Sequence, residues 1–346
     1  MIASGWGIWF IGAVLLDSEV VKRVALELDG QRVLILSHRD PDFDAIGSCL
    51  GLYHALRNRG IQCQVCCTDA LPENSSILPG IEEVGLVDQE AFNWSRIVVL
   101  DCARRERVSG MGRLASWEAV NAPEKVLLIN IDHHQDNTRY GDINWIEPKI
   151  SSVGELLFYF FKQCGWEITK EVATCLFAAI ATDSLRFSHK VTAATFHAAG
   201  ELIERGVNVE QLSQSLFESK PVAAFDTIKK SLDAMMINQG SRLAYTTVSD
   251  TTPHGDEVVN LLRQLDNIDV LAVFRMADNG NIRINLRSKS RFNVAEFANR
   301  YGGGGHLQSA GFTVAGSLDE VVSTIVSALE SELKFLNSRF LEGQLS

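Results

Sequence analysis

Acidic and imidazole side chains follow three separate apolar runs of the sequence, at the point where each run ends. The residues concerned are His38, Asp42, Asp44, Asp101, Asp132, His133 and His134. In an open parallel sheet the carboxyl ends of the strands line one crevice, so we expect these side chains to meet at one edge. Several carboxylates brought together repel one another, and divalent cations relieve that repulsion at neutral pH. The spacing therefore predicts a metal centre.

The types of ligand narrow the choice of metal and its chemistry. Carboxylates and imidazoles without thiolates favour manganese, magnesium, iron or zinc. Two divalent ions balance the charge of four carboxylates, and paired ions about 3.5–4 Å apart serve in-line displacement at phosphorus. One carboxylate must bridge the two ions, and Asp101, alone after its strand, is the predicted bridge.

Other acids and histidines are interpreted as structural. An isolated Asp at a strand end is more often a turn or capping residue than a ligand. Asp40 and Asp132 are therefore assigned turn and supporting roles. The lone histidines His54, His197 and His254 are read as satisfied surface or core residues.

Four apolar runs predict strands buried on both faces, because they lack the alternation of a half-exposed strand. These runs are Val33–Ser37, Cys63–Cys67, Ile97–Leu100 and Val126–Ile131. Helical patterns at Ala45–Asn58 and Arg107–Glu118 lie between them, which indicates an α/β layer fold. Further helices are predicted at Gly154–Cys164, Lys170–Thr182, Thr192–Glu204 and Val222–Met236.

Beyond Gly240 the pattern indicates a second α/β domain. Strands are predicted at Arg242–Val248, Val270–Met276 and Ile282–Arg287, and helices at Val258–Leu265, Val294–Tyr301 and Leu318–Leu336. We therefore predict a first domain over residues 1–190 with a parallel sheet flanked by helices. A helical linker over 191–237 and a smaller α/β domain with a mixed sheet over 238–346 follow.

Composition limits the class of protein. The 346 residues carry 32 Lys+Arg against 43 Asp+Glu, a net charge of −11, and 46% are hydrophobic. The apolar content excludes a disordered chain, and the acidity argues against a protein that coats long duplex nucleic acid. Seven cysteines without regular spacing indicate a reducing compartment, the cytoplasm. Cys63, Cys66 and Cys67 are assigned to core packing rather than to half a zinc site.

The amino terminus is atypical, because residues from Ile2 to Leu16 are apolar or small throughout. The run is shorter than the ~20 residues of a membrane-spanning helix and lacks the basic leader of a secretory signal. Three readings stay open: an upstream extension before a domain start near Val14 to Ser18, a helix packed on the domain, or a membrane anchor. The extension is preferred, and a membrane partner is not expected.

A basic stripe near the carboxyl terminus predicts an anion-binding clamp. In the segment from Ile282 to Lys289, apolar residues alternate with Arg283, Asn285, Arg287 and Lys289, which share one face. A solvated sheet face is the simpler explanation for the stripe alone. The glycine run that follows predicts an open loop of N–H groups suited to phosphate oxygens. The clamp residues are Arg287, Lys289, Gly303, Gly304, Gly305 and His306.

The same residues resemble the motifs of the DHH phosphoesterase superfamily. Its first four motifs resemble residues 38–48, 99–101, 132–134 and 181–184, and its first type of associated domain resembles residues 301–306 with 309–311. Each motif is weak alone, but five in this order across residues 33 to 312 are highly specific. Two departures, Leu185-Arg186-Phe187 and Leu307-Gln308, bear on the preferred length of substrate.

The resemblance implies a ligand set for two divalent ions, with manganese preferred and magnesium or cobalt as alternatives. It places one ion on His38, Asp42 and Asp101, and the other on Asp44, Asp101, His133 and Asp183. Asp183 enters the set by resemblance alone. His134 would face the substrate phosphate, and Asp101 and His133 would complete the catalytic residues.

The size and both domains most resemble the nanoRNase and pAp phosphatase branch. This implies hydrolysis of short oligoribonucleotides to nucleoside 5′-monophosphates, and of 3′-phosphoadenosine 5′-phosphate (pAp) to AMP. The reaction would be attack on phosphorus by a hydroxide that two metal ions activate, with the clamp holding the far end of the substrate across an interdomain cleft. Two alternatives stay open: a phosphodiesterase for cyclic or linear dinucleotides, and a non-catalytic nucleotide sensor. The oligomeric state also stays open, with a homodimer as one alternative.

Overall fold

The computed structural model describes residues 18–86, 94–110, 126–248, 255–277, 280–289 and 291–343. The apolar run Ile2–Leu16 and His254 lie outside these ranges. Contacts divide the chain into two units, the first ending at Ser219 and the second beginning at Lys220. Within the described ranges, no helix has the length and apolar character needed to cross a membrane.

The described part of the first unit contains a sheet of five parallel strands. They are β1 (Arg32–Leu36), β2 (Gln62–Val65), β3 (Arg96–Leu100), β4 (Leu127–Asp132) and β5 (Ile143–Ile146), in the spatial order β2-β1-β3-β4-β5. The four predicted strands are confirmed to within two residues, and β5 was not predicted. The order reverses between β1 and β3, and this switch point is where an open α/β sheet has its ligand crevice.

The central strands are buried on both faces, as their unbroken apolar runs predict. Val33 and Ile35 of β1 belong to the large core under the helices, whereas Leu34 and Leu36 belong to a smaller core on the opposite face. All four side chains are at most 1% exposed. Strands covered on both faces can expose polar residues only at their ends, so chemistry is confined to the edge of the sheet.

Six described helices accompany this sheet. They are α1 (Ser18–Leu28), α2 (Phe43–Asn58), α3 (Val153–Cys164), α4 (Lys170–Asp183), α5 (Ala193–Glu204) and α6 (Val209–Phe217). The predicted helices among these are confirmed, and α6 was not predicted. The prediction of a helix at Arg107–Glu118 was wrong at its beginning, because Arg105–Arg107 forms a single 3₁₀ turn. The rest of that segment, from residue 111, lies outside the described residues.

The second unit contains a mixed sheet with helices on both faces. Its elements are α7 (Val222–Asp233), β6 (Met236–Asn238), β7 (Leu243–Val248), α8 (Gly255–Leu262), β8 (Val270–Met276), β9 (Ile282–Ser288), α9 (Val294–Asn299), β10 (Gly304–His306), β11 (Ser309–Val314) and α10 (Leu318–Gly343). The strand order is β10-β11-β9-β8-β7-β6, and only β7 and β8 pair in parallel. The prediction that α7 continues to Met236 was wrong, because that residue starts β6. Of the helices within the range expected as a linker, α5 and the unpredicted α6 lie in the first unit and α7 in the second.

Candidate metal centre and substrate clamp

Three strand ends deliver acids and histidines to one edge of the first sheet, as predicted. His38 follows β1 and Asp101 follows β3. Asp132 is the last residue of β4, and His133 and His134 follow it. Nε2 of His38 lies 3.6 Å from Oδ2 of Asp101, and Nε2 of His133 lies 3.5 Å from Oδ1 of the same carboxylate. Asp101 therefore lies between the two histidines, where the predicted bridge would have to be. Its backbone φ is 54°, an uncommon value for a residue other than glycine.

Helix ends supply the remaining carboxylates. Asp42 caps α2, since its Oδ1 accepts a hydrogen bond of 3.0 Å from the Ala45 N–H. Asp44, the second residue of α2, is 1% exposed and accepts bonds of 2.8 and 3.0 Å from the N–H groups of Val153 and Gly154 at the start of α3. The positive end of α3 thus holds a carboxylate that belongs to another helix.

Close helix packing brings Asp183 into the same cluster. Asp183 is the last residue of α4, and its Oδ2 lies 3.6 Å from Nε2 of His133. The approach of the helices depends on glycine, because a Cβ at Gly47 of α2 would lie 2.7 Å from the Cys175 carbonyl oxygen of α4. A Cβ at Gly154 of α3 would lie 2.5 Å from the Cβ of Ala179. A strand-end search misses Asp183 because helix packing, and not strand order, places it.

Both histidines of the predicted ligand set have the same orientation. Nδ1 of His38 lies 2.7 Å from the carbonyl oxygen of Arg39, and Nδ1 of His133 lies 3.3 Å from that of Ile150. A carbonyl accepts but cannot donate, so each Nδ1 is the donor to a carbonyl and each Nε2 faces the carboxylates. This arrangement is typical of metal-ligating histidines.

The donor atoms fit two ions that share Asp101. Two groups of side chains each converge within 4.8 Å: His38, Asp42 and Asp101, and Asp44, His133 and Asp183; a third group joins Asp101 to His133 and His134. Contacts of 3.5–4.0 Å within the groups are too long for hydrogen bonds but near the spacing of neighbouring ligands around an ion at about 2.1 Å. Oδ1 of Asp101 is buried and has no hydrogen-bond partner among the described residues. A buried acceptor without a donor is a position that a bound cation would satisfy.

The pKa values show how the cluster carries its charge without metal. Burial, together with the charges of Asp101 and Asp183, raises the pKa of Asp44 well above its usual value. Burial raises the pKa of Asp183 to about 6. Burial alone would also raise the pKa of Asp101, but the contact with His38 and the charges of His134 and His133 hold it below its usual range. One carboxylate is thus kept ionised at the centre, and its neighbours resist ionisation.

His134 is held apart from the ligand histidines by Asp132. Nδ1 of His134 donates to Oδ1 of Asp132 over 2.8 Å, and the N–H groups of residues 133 and 134 donate to the same oxygen. Burial alone would lower the pKa of His134, but the charge of Asp132 raises it to about 10. The side chain is 25% exposed. His134 is therefore a cation at neutral pH that remains open to an anionic ligand, and Asp132 has the supporting role predicted for it.

The structural readings of the other polar residues are borne out where they can be examined. Asp40 has φ 52°, which fits a turn. Nε2 of His54 lies 2.9 Å from the Pro79 carbonyl oxygen, and Nε2 of His197 lies 2.9 Å from a Glu201 carboxylate oxygen. Cys63, Cys66 and Cys67 are buried and unpaired, as core residues would be.

In the second unit the strand register groups the clamp residues. Ile282, Ile284 and Leu286 of β9 are buried, as the alternation predicts, and Arg287 on the other face is half-buried. Arg287 pairs with Ser309 of β11, and Ser309 pairs with His306 of β10. The backbones of Arg287 and His306 therefore lie on one rung of the sheet, two strands apart. Lys289, just beyond the strand, is exposed.

The prediction of an open glycine loop was wrong. Gly304 and Gly305 form β10, which pairs with β11, and the Gly303 N–H donates to the Ala298 carbonyl at the end of α9. A Cβ at Gly303 would lie 2.2 Å from the Gly311 carbonyl oxygen, and one at Gly305 would lie 2.4 Å from that of Ser309. Gly303 and Gly305 are glycine because the hairpin leaves no room for a side chain at these two positions.

Comparison with known proteins agrees with this architecture. Residues 32–180 match the DHH family, N-terminal domain, and residues 240–334 match the DHHA1 domain. The bifunctional oligoribonuclease and PAP phosphatase NrnA of Thermus thermophilus is 29% identical over 307 residues, covering 87% of this chain and 90% of that protein. The protein of the same name from Bacillus subtilis is 26% identical over 332 residues, covering 92% and 99%.

A solved structure shares the fold of nearly the whole chain. An exopolyphosphatase-related protein from Bacteroides fragilis superposes with a TM-score of 0.84 at 24% identity, covering 94% of this chain and 100% of that one. The matches cover both units, and the strand-end acids and histidines lie within the first matched domain. The chain therefore belongs to the DHH family, with a DHH domain followed by a DHHA1 domain.

Proposed function

We propose that this chain is a metal-dependent phosphoesterase that hydrolyses short oligoribonucleotides to nucleoside 5′-monophosphates and pAp to AMP. The observation that carries the proposal is the shared, buried Asp101 carboxylate, with one oxygen toward each of two ligand groups. Relatives over most of the chain are named as oligoribonuclease and PAP phosphatase, and their match extends through both domains.

We further propose that two manganese ions occupy the centre. The two groups offer carboxylate and imidazole donors and no thiolate, which suits manganese or magnesium. Imidazole nitrogen in both groups favours manganese over magnesium, which prefers oxygen. When bound, the ions supply charge for the phosphate and a nucleophile at neutral pH. The ligand residues are the six predicted ones: His38, Asp42, Asp44, Asp101, His133 and Asp183.

The side chains around the ions would hold and polarise the phosphate. His134 is protonated through its pairing with Asp132, so its Nε2–H can donate to a non-bridging oxygen of the phosphate. A fixed donor aimed at developing negative charge is effective because it needs no reorganisation during the reaction. Asp132 also accepts from Asn137, so the imidazole is anchored from behind.

We propose that the second unit binds the part of the substrate remote from the scissile bond. Arg287 and the backbone of His306 share one rung of the sheet, and Lys289 follows on the same strand. A guanidinium suits the two-oxygen geometry of a terminal phosphate. Binding of a second phosphate there would favour short substrates that carry a charged end. The proposed clamp also includes strand β10, through the backbone of Gly304 and Gly305 and through His306.

The location proposed is a reducing compartment such as the cytoplasm. All seven cysteines lie in the described residues and none forms a disulfide. Burial raises the pKa of Cys63 and of Cys66 to about 12, so these thiols stay protonated and inert at neutral pH.

A hydrolysis screen with added manganese tests the proposal. Dinucleotide, pentanucleotide, cyclic dinucleotide and pAp are incubated with the purified protein, and products are separated by chromatography. We expect nucleoside monophosphates from the linear oligonucleotides and AMP from pAp. Faster turnover of the cyclic than of the linear dinucleotide would instead favour a cyclic dinucleotide phosphodiesterase. No turnover by fully metal-loaded protein would favour a sensor.

A further inference from the structure

A strained loop follows the metal ligand Asp183. Leu185, Arg186 and Phe187 have φ values of 50°, 59° and 58°, and Lys190 has φ 50°. Non-glycine residues seldom adopt this left-handed region, and three in succession are rarer still. Such strain persists only where the surroundings determine it, and it clusters at functional sites. The loop contains one of the two places where the chain departs from the DHH motifs.

The loop is fixed from both sides by α4 and α5. The Ser184 carbonyl accepts from the N–H groups of Ser188 and His189, each over 2.9 Å, and the Ser184 hydroxyl accepts from the Phe187 N–H over 3.0 Å. The Phe187 ring packs between Phe177 of α4 and Phe196 of α5, with ring centres 5.6 and 5.8 Å away. These hydrogen bonds and ring contacts therefore fix the backbone that leads to Lys190.

The two basic side chains of this loop, Arg186 and Lys190, differ in the contacts they make. The Arg186 guanidinium lies 4.5 Å from the centre of the Phe217 ring and donates to the Phe217 carbonyl. The Lys190 side chain is half-buried and forms neither a hydrogen bond nor an ion pair with any described residue. A partly buried ammonium without a partner is unfavourable unless a ligand completes its contacts.

The carboxylates with the strongest electrostatic effect on Lys190 belong to the proposed metal centre or support it. The acids that act most strongly on it are Asp183, Asp101, Asp44 and Asp132. Burial lowers the pKa of Lys190, and these carboxylates oppose that change. Lys190 therefore lies within electrostatic range of the cluster, and it forms no ion pair with any described member of it.

Charge balance indicates the kind of ligand that would pair with Lys190. Two divalent ions would cancel the four proposed ligand carboxylates, and the Asp132 carboxylate cancels the His134 imidazolium. The Lys190 ammonium is then a further positive charge within electrostatic range of the centre. An anion with several oxygens, such as a phosphate, is the ligand that an ammonium with three donors would complete.

We propose that Lys190 is a catalytic residue that donates a hydrogen bond to a non-bridging oxygen of the phosphate bound at the metal centre. The proposal rests on the phosphoesterase function proposed above and adds a residue to it. His134 and Lys190 would then contact the phosphate from different elements, one from the end of β4 and the other from the loop after α4.

Two variants at this position separate the charge from the backbone. Lys190→Asn removes the ammonium, and Asn tolerates the left-handed conformation better than other residues. Lys190→Arg keeps the charge. Lys170→Met is the matched control, because it removes an exposed Lys from the other end of α4, about 20 Å from Asp183. Thermal melting shows whether each variant is folded.

The first measurement is the affinity of the manganese-loaded protein for inorganic phosphate, by calorimetry. We expect Lys190→Asn to weaken phosphate binding about 10- to 100-fold, as loss of one charge-assisted hydrogen bond would. Lys190→Arg should retain most of the affinity, Lys170→Met all of it, and manganese affinity should stay within about twofold. Unchanged phosphate affinity in folded Lys190→Asn, or a change in manganese affinity alone, would overturn the proposal.

The second measurement is kcat/KM for pAp, which separates this proposal from the proposed function. We expect the same ranking of variants as for phosphate binding. If the wild type hydrolyses pAp and Lys190→Asn is equally active, the role of Lys190 is wrong and the function stands. If the wild type does not hydrolyse pAp, the function is wrong, and the phosphate titration still decides the role of Lys190.

Discussion

The proposed metal centre of the first unit and the proposed clamp of the second differ in burial. His133 is 1% exposed and Asp101 2%, and only Asp42, at the edge of the centre, is largely exposed among its proposed ligands. Arg287 is half-buried on a central strand of the mixed sheet, and Lys289, just beyond that strand, is exposed. Bond-making requires groups fixed before substrate arrives, whereas binding of a remote phosphate can use cations at the protein surface. Loss of a centre residue should therefore lower kcat, and loss of a clamp residue should raise KM.

The largest effect is expected at the shared carboxylate. Asp101→Asn keeps the left-handed backbone but cannot bridge two cations, so we expect kcat for pAp to fall at least about 10³-fold. Manganese stoichiometry, measured by elemental analysis, should fall below two per chain. Asp29→Ala at an exposed ion pair is the control and should be fully active. An Asp101→Asn enzyme with more than a tenth of the wild-type kcat would contradict the shared-ligand assignment.

The next effect separates phosphate polarisation from metal binding. His134→Gln removes a cation that donates a hydrogen bond to Asp132 and lies 3.5 Å from Asp101, and we expect kcat to fall about 10²- to 10³-fold while both manganese ions stay bound. Kinetics and elemental analysis on the same sample test this. Loss of manganese from His134→Gln would show that His134 is a ligand, consistent with its place in one of the three groups.

A smaller effect is expected in the clamp. Arg287→Ala should raise KM for pAp about tenfold with kcat nearly unchanged, because it removes a contact equally present in the ground and transition states. Arg283→Ala, on the same face of β9 but farther from β10, is the comparison variant and should have less effect. An unchanged KM would remove Arg287 from the clamp.

The smallest effect concerns stability without metal. The pKa of Asp183 is raised to about 6, so this group destabilises the folded metal-free protein above that pH, and the penalty disappears as pH falls from about 6 to about 4. Its side chain is 29% exposed. Metal-free Asp183→Asn should therefore be more stable than wild type at pH 7 by about 1 kcal/mol, with no gain near pH 4. Chemical denaturation at both pH values measures this, and a less stable variant at pH 7 would contradict it.

The contrast also explains which parts of the molecule the sequence could predict. Runs such as Ile97–Leu100 identify buried strands, and their ends carry the acids, so both the sheet and most of the centre follow from hydrophobic pattern. Strand β5 was missed because it is four residues long at the sheet edge and alternates between buried and half-buried positions. The contribution of Asp183 depends on how closely α2, α3 and α4 approach, which no local pattern encodes. Only the family resemblance supplied it.

The prediction of an open glycine loop was wrong for a related reason. The run at 302–305 was interpreted through the N–H groups it would expose, whereas its structural cause is the missing Cβ at Gly303 and Gly305. Lys190 gives no periodic or motif signal at all, because its position depends on the left-handed turn before it. Residues whose role depends on three-dimensional packing were invisible in the sequence, and those at the ends of regular elements were not.

Anomalous diffraction from crystals soaked in manganese tests whether two ions share Asp101. We expect two peaks in the first unit, one among His38, Asp42 and Asp101 and the other among Asp44, Asp101, His133 and Asp183. Both ions should contact the Asp101 carboxylate through different oxygens. A well-ordered map with no peak at these side chains, or with a single ion that Asp101 does not ligate, would contradict it.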